Sequence, residues 1–227
     1  MNLKIKISVV LITLLCVCNG LFAQNRSYIK REIQSWGQCK NVALTKKNGN
    51  VALYGKNGYV MSDCPNEMLN VMKDLRQKDL LIKDVHVTES GKWLIVFEEN
   101  GFHGNGLPAS LNNKLYEFNN MGEAILSVSF NDKNEWIVIT ENYYAASNSV
   151  IQKWIENAAK QYGQALSTCV TNETRSVVFR NGWVMNGDID NALLRSLKSA
   201  SISIYTLKFA GSDWFFADQN GNYQYHM

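Results

Sequence analysis

Three histidines, His86, His103 and His226, are the side chains best suited to proton transfer or metal ligation near neutral pH. They stand far apart in the chain, and no pattern of paired ligands at short spacing, as zinc sites use, accompanies them. His86 lies between Val85 and Val87 in an alternating stretch, which predicts a strand residue on the solvent face. His103, in "GFHGNGLP", is expected in an exposed glycine-rich loop and is the histidine retained as a binding candidate. Glu98 and Glu99 are adjacent carboxylates. Glycoside hydrolysis needs two carboxyl groups facing each other about 5–10 Å apart, whereas neighbours on a strand point to opposite faces, so the pair reads as turn charge. No G-x-S-x-G, H-E-x-x-H, phosphate-loop or dinucleotide motif is present. The expectation is a protein that is not an enzyme, with no catalytic residue, no metal and no cofactor.

Aromatic side chains give the remaining signal. Tyr59, Phe102, Tyr143, Trp183 and Tyr223 each follow a turn in one of five related phrases. Rings in such places pack on a neighbouring unit or, if left open, form repeated pockets for sugars or peptide side chains. With His103, these five are the ligand-binding candidates.

The phrases are "KNGYVMSD", "ENGFHGNG", "ENYYAASN", "RNGWVMNG" and "QNGNYQYH". Their asparagines, Asn57, Asn100, Asn142, Asn181 and Asn220, are spaced by 43, 42, 39 and 39 residues, which marks a repeat. Asn-Gly is a strong hairpin signal, because its two residues readily take positive φ. An apolar strand precedes each phrase; Trp93, Trp136 and Trp214 hold equivalent places in three of them, and Val51 and Val177 are expected to replace tryptophan in the other two. A further alternating strand lies upstream, and before that a stretch with helical spacing, such as Met68, Met72 and Leu75 or Leu111, Leu115 and Phe118. Pro65 and Pro108 are expected in first helical turns, and Asp188 or Asp190 at the last cap.

The predicted fold class is thus an α+β repeat protein, mainly β, with five αβββ units at about 26–63, 64–106, 107–147, 148–187 and 188–227. Ordering about 41 residues costs of order 1–2 kcal/mol each. Six to eight inward apolar side chains return only about 1.5–3 kcal/mol each, so a unit needs its neighbours. Open stacks have polar caps. Here the first unit keeps Ile29, Ile33 and Trp36, and the last keeps Trp214, Phe215 and Phe216. A closed propeller-like toroid satisfies both ends; an open solenoid is the alternative. The pattern G/N-W-x-I/V…N-G-aromatic with a leucine-spaced helix resembles tandem helix-plus-three-strand repeats of exported and multidomain bacterial proteins. That resemblance implies a scaffold for binding or protein contact and assigns no catalytic residue.

Lys4 and Lys6, an apolar run at Val9–Val17 and Ala23 before Gln24 have the layout of a signal peptide over residues 1–23, leaving 24–227 as a single repeat domain. Cys16 and Cys18 follow bulky residues, unlike lipidated cysteines. Loss of Lys4 and Lys6 takes the formal charge from +3 to about +1, with no basic run for nucleic acid and no integral membrane segment after processing. Cys39, Cys64 and Cys169 remain. A meander puts Cys39 and Cys64 at opposite edges, beyond the roughly 7 Å a disulfide spans, and Cys169 reads as a small buried side chain. The function these features imply is an exported binding or interaction module, periplasmic, cell-surface or secreted, with a protein or glycan as partner. The alternatives are an accessory subunit of a surface or secretion assembly, or a hydrolase whose site is shared between units.

Overall fold

A computed structural model describes residues 26–46 and 49–227. The leader, its cleavage point and Cys16 and Cys18 lie outside the described residues. Five times a helix leads into three strands. The first unit contains α1 (26–36), β1 (Asn41–Ala43), β2 (Asn50–Tyr54) and β3 (Gly58–Ser62). The second contains α2 (Asn66–Gln77), β4 (Ile82–Val87), β5 (Trp93–Phe97) and β6 (Gly101–Asn105). The third has α3 (Ala109–Asn120), β7 (Ile125–Phe130), β8 (Trp136–Thr140) and β9 (Tyr144–Ala146). The fourth has α4 (Ser149–Tyr162), β10 (Ala165–Val170), β11 (Thr174–Phe179) and β12 (Gly182–Gly187). The fifth has α5 (Asn191–Lys198), β13 (Thr206–Ala210), β14 (Asp213–Ala217) and β15 (Tyr223–His226). Each sheet is an antiparallel meander in which strand order is chain order. No described helix is long and apolar enough to cross a membrane.

Each helix forms because one apolar stripe has somewhere to go. The buried stripes of α2, α3 and α4 are Met68, Met72 and Leu75; Leu111, Leu115 and Phe118; and Ile151, Ile155 and Ala158. Asn148 starts α4 by accepting from Val150 N and Ile151 N, and Asp190 starts α5 by accepting from Ala192 N. Pro65 and Pro108 stand one place earlier than expected, at the cap itself, with extended ψ of 138° and 135°. Their carbonyls accept from Leu69 N and Asn112 N, so each proline starts its helix from outside it.

The turn chemistry also departs from expectation. Gly58, Gly101 and Gly182 are not left-handed; that conformation falls on Gly55 (φ 58°) in the first unit and on Glu98 (φ 48°) in the second. What these glycines supply is clearance. A Cβ on Gly101 would lie 2.5 Å from the Phe97 ring, and one on Gly182 would lie 2.5 Å from that of Tyr162.

Strand register corrects two assignments. Trp93, Trp136 and Trp214 pair with Val87, Phe130 and Phe209. Arg175 pairs with the equivalent Val170, so it stands where tryptophan was expected at Val177. In the first unit Val51 pairs with Ala43, which puts Asn50 in the tryptophan place. Both substitutes are polar and make ion or hydrogen bonds, Arg175 to Glu135 and Asn50 to Arg26. Register also places Tyr144, opposite Ile139, in the column of Tyr59, Phe102, Trp183 and Tyr223; Tyr143 precedes the strand.

The helices sit between sheets. The α2 stripe packs with Val51 and Leu53 behind it and Val85, Trp93 and Ile95 ahead of it. Leu94 and Val96, the alternate residues of β5, belong to the next core, with α3 and β7. A middle strand is therefore buried on both faces, because alternate side chains serve different helices. The same pattern gives a core around α4 and another around α5. The fifth core joins the ends of the chain: Ile29 and Ile33 of α1 pack with Phe215 and Ala217 of β14. Polar contacts follow the same seam. Cys39 N donates to Gly221 O at 2.9 Å, Lys30 Nζ to Met227 O at 2.7 Å, and Arg26 pairs with Asp213 at 2.9 Å. The three described cysteines are unpaired, with Cys39 and Cys169 buried. Burial pushes their thiols up, Cys39 and Cys64 to about 12 and Cys169 to about 11.

Candidate functional site

The first strands, β1, β4, β7, β10 and β13, contact one another in succession, and β13 also contacts β1. Their pairing aligns two inward columns. One contains Asn41, Asp84, Ser127, Ser167 and Thr206; the other contains Ala43, His86, Ser129, Cys169 and Lys208. All ten are buried. The alternation gives the polar face expected, but that face is turned toward the other units and not toward water.

Asp84 is the hub. One carboxylate oxygen accepts from Asn41 Nδ2 at 2.6 Å, Lys208 Nζ at 2.9 Å and Val85 N at 2.9 Å. The other accepts from Ser127 Oγ at 2.7 Å and Val128 N at 2.9 Å. Lys208 also donates to Thr168 O at 3.1 Å, so all five units meet within two side chains of this carboxylate. Side-chain exposures of 1% for Asp84 and 3% for Lys208 make the pair fully internal.

His86 is buried, which corrects the solvent-face expectation. Its Nε2 meets Phe130 O, and its Nδ1 lies 3.1 Å from Ser129 Oγ, which accepts from Val170 N at 2.7 Å. A neutral ring that donates from Nε2 to Phe130 O and accepts at Nδ1 from Ser129 Oγ fits these two contacts, with Phe130 N 3.3 Å from Nε2. Loss of water and the nearby Lys208 charge lower its pKa to about 4. The unfolded chain, with the ordinary value of about 6.5, takes up the proton first, so stability falls as pH drops from about 6.5 to 4. The expected loss is about 3 kcal/mol. Urea unfolding at pH 7 and pH 4.5 measures it, and His86→Gln is expected to remove that part of the slope. Identical slopes in the two proteins would refute this account.

Asp84, His86, Ser129, Cys169 and Lys208 thus form a buried set of titratable and nucleophilic groups: Asp84 pairs with Lys208, His86 with Ser129, and Cys169 with a backbone carbonyl. Ser129 is completely buried, and Cys169 is held as a thiol that donates to Phe209 O. Above them, where the first strands end, is a space of about 30 Å³ edged by Glu89, Asp132 and Asn172. That is room for one water. No group of three metal-ligating side chains occurs among the described residues.

The opposite end of the first strands is open. A cavity of about 220 Å³ takes lining from all five units. It adjoins a second, of about 500 Å³, with which it shares Lys83, Leu126, Leu166, Tyr205 and Gln219. Strand register slips at Lys83, Leu126 and Leu166, the same place in three consecutive units. Such bulges re-aim a side chain, and here all three bulged residues line the mouth. Tyr205 and Lys40 also line it, with Leu81, Asp218 and Gln219, and Asn41, Ser127, Ser167 and Thr206 lie beside them one residue further along the first strands. Ser167 Oγ is buried without a hydrogen-bond partner. Burial lowers the Lys40 pKa to about 8.

The six residues singled out from sequence are not brought together. Tyr59, Phe102, Trp183 and Tyr223 pack against four different cores, and Tyr144 against the fifth. Phe102 meets Tyr116 edge-on, and the Tyr223 hydroxyl donates to Ile33 O. Tyr143 is half exposed over Phe118. His103 is exposed but sits on β6, not in a loop, and stacks on Phe97. None of the six lines the mouth. Glu98 is more than turn charge: its carboxylate accepts from Leu81 N at 2.7 Å. Sequence reasoning missed Asp84, Lys208, Lys40 and Lys83. The signal for Asp84 was a position that is polar in every first strand, Asn41, Asp84, Ser127, Ser167 and Thr206. No protein-family model matches the chain, and comparison with the curated proteins finds no match.

Proposed function

We propose that the chain is an exported, non-enzymatic binding module for a protein or glycan, with its five units closed into a propeller-like toroid and its ligand received at the mouth of the axis. One observation carries this reading: the central groups that resemble catalytic machinery are buried and already hydrogen-bonded within the protein, while the open cavity collects side chains from every unit. The fifth core, shared by α1 and β14, supports closure. The pairing of Lys208 with Asp84, from units that are not neighbours in the chain, supports a filled axis.

Screening the purified chain against a glycan array and a peptide library tests the proposal. At least one ligand class is expected to bind, and the paired substitutions Leu126→Asp and Leu166→Asp are expected to weaken it by about tenfold or more, since they put charge in place of apolar lining. Silence in both screens, or binding indifferent to the two substitutions, would count against it.

A further inference from the structure

We propose that the mouth recognises a free carboxylate borne on an apolar group, in the form of the C-terminal residue of a peptide; this rests on the mouth being the ligand site. The cavity is lined by Lys40, Leu81 and Lys83 from the first two units and by Leu126, Leu166 and Tyr205, with Asp218 and Gln219, from the other three, so it offers cationic and apolar groups together. Both ammonium groups have donors to spare. Lys40 Nζ makes a 3.4 Å contact to Lys56 O, and it has no carboxylate within 4 Å among the described residues. Lys83 Nζ makes contacts of 3.3 and 3.4 Å to Glu99 O and Ile125 O. The Glu99 carboxylate is 3.9 Å from it and 80% exposed, a weak competitor. Asp218, the acid in the lining, is occupied by its own turn, accepting from Asn220 N, Asn222 N and Asn222 Nδ2 at 2.7–2.9 Å.

In the same lining, the Ser167 hydroxyl is buried and unsatisfied. A buried hydroxyl without a partner is costly, and a bound acceptor would relieve that cost. Two ammonium groups and a hydroxyl suit a carboxylate, which accepts through both oxygens. Three leucines in the same lining, Leu81, Leu126 and Leu166, suit an apolar side chain. The volume, about 220 Å³, equals roughly seven waters at about 30 Å³ each, the scale of one terminal residue.

Titration of the chain with N-acetyl-Ala-Leu as the free acid, its C-terminal amide, N-acetyl-Ala-Gly acid and decanoate is the test, followed by calorimetry and amide chemical shifts. The leucine acid is expected to bind with shifts at Leu126, Ser167 and Tyr205. The amide and the glycine acid are expected to bind at least about tenfold more weakly. Lys40→Met and Lys83→Met are each expected to weaken the leucine acid about tenfold, and Ser167→Ala several-fold. Unchanged near-ultraviolet circular dichroism would show that these variants are folded. Equal binding of acid and amide at the mouth would overturn the carboxylate assignment and leave the mouth as a ligand site. Tighter binding of decanoate than of the leucine acid would overturn the peptide source in favour of a fatty acid. Absence of any shift at the mouth with all four probes would overturn the inference, while the library screen decides the broader reading separately.

Discussion

Asp84→Leu is expected to cost about 4–5 kcal/mol of folding stability, and Lys208→Met about 3 kcal/mol. The asymmetry follows from who is left behind. Without Asp84, a buried ammonium group keeps only Thr168 O, the Val85 and Val128 amides and Ser127 lose their acceptor, and Asn41 keeps only a 3.4 Å contact to Lys83 O. Without Lys208, the carboxylate still holds four donors from three units. The double variant is expected to be milder than the sum of the two, because neither charge is then stranded. Urea denaturation with a shared slope gives all three values. A loss below about 1 kcal/mol for Asp84→Leu would show that this carboxylate does not hold the five units together.

Phe215→Ala carries the next largest effect, about 3–5 kcal/mol, the range for deleting a fully buried aromatic ring. Phe215 lies on β14, yet its core neighbours include Ile29 and Ile33 of α1, near the other end of the chain. The informative readout is therefore local. Amide exchange of α1 is expected to speed up at least as much as exchange of β13. In an open stack, a lesion in the last unit would leave the first unit protected, because coupling passes only through intervening neighbours. Unchanged protection of α1 in Phe215→Ala would argue against a structural role for the fifth seam.

The repeat was legible from spacing alone, because a helix with a 3.6-residue stripe and a strand with a 2-residue alternation write different signatures. Met68, Met72 and Leu75, or Leu111, Leu115 and Phe118, could be placed on one helical face without coordinates, and each is buried there. Clearance was not legible. Gly101 and Gly182 looked like turn glycines, and only the neighbouring Phe97 and Tyr162 rings reveal why a Cβ is excluded.

The sequence by itself determined the five αβββ units, the polarity pattern of every strand and the apolar stripe of every helix, since these are local and periodic. Only the tertiary structure decided which polar face was wet. Alternation says that His86 and Asp84 share a face; it cannot say whether water or four other strands lie beyond it. Pairing energy between Lys208 and Asp84, 124 residues apart, depends on distance in space and on exclusion of solvent. The mouth follows the same rule: Lys83, Leu126 and Leu166 are unremarkable in their own segments, and three register slips make them neighbours.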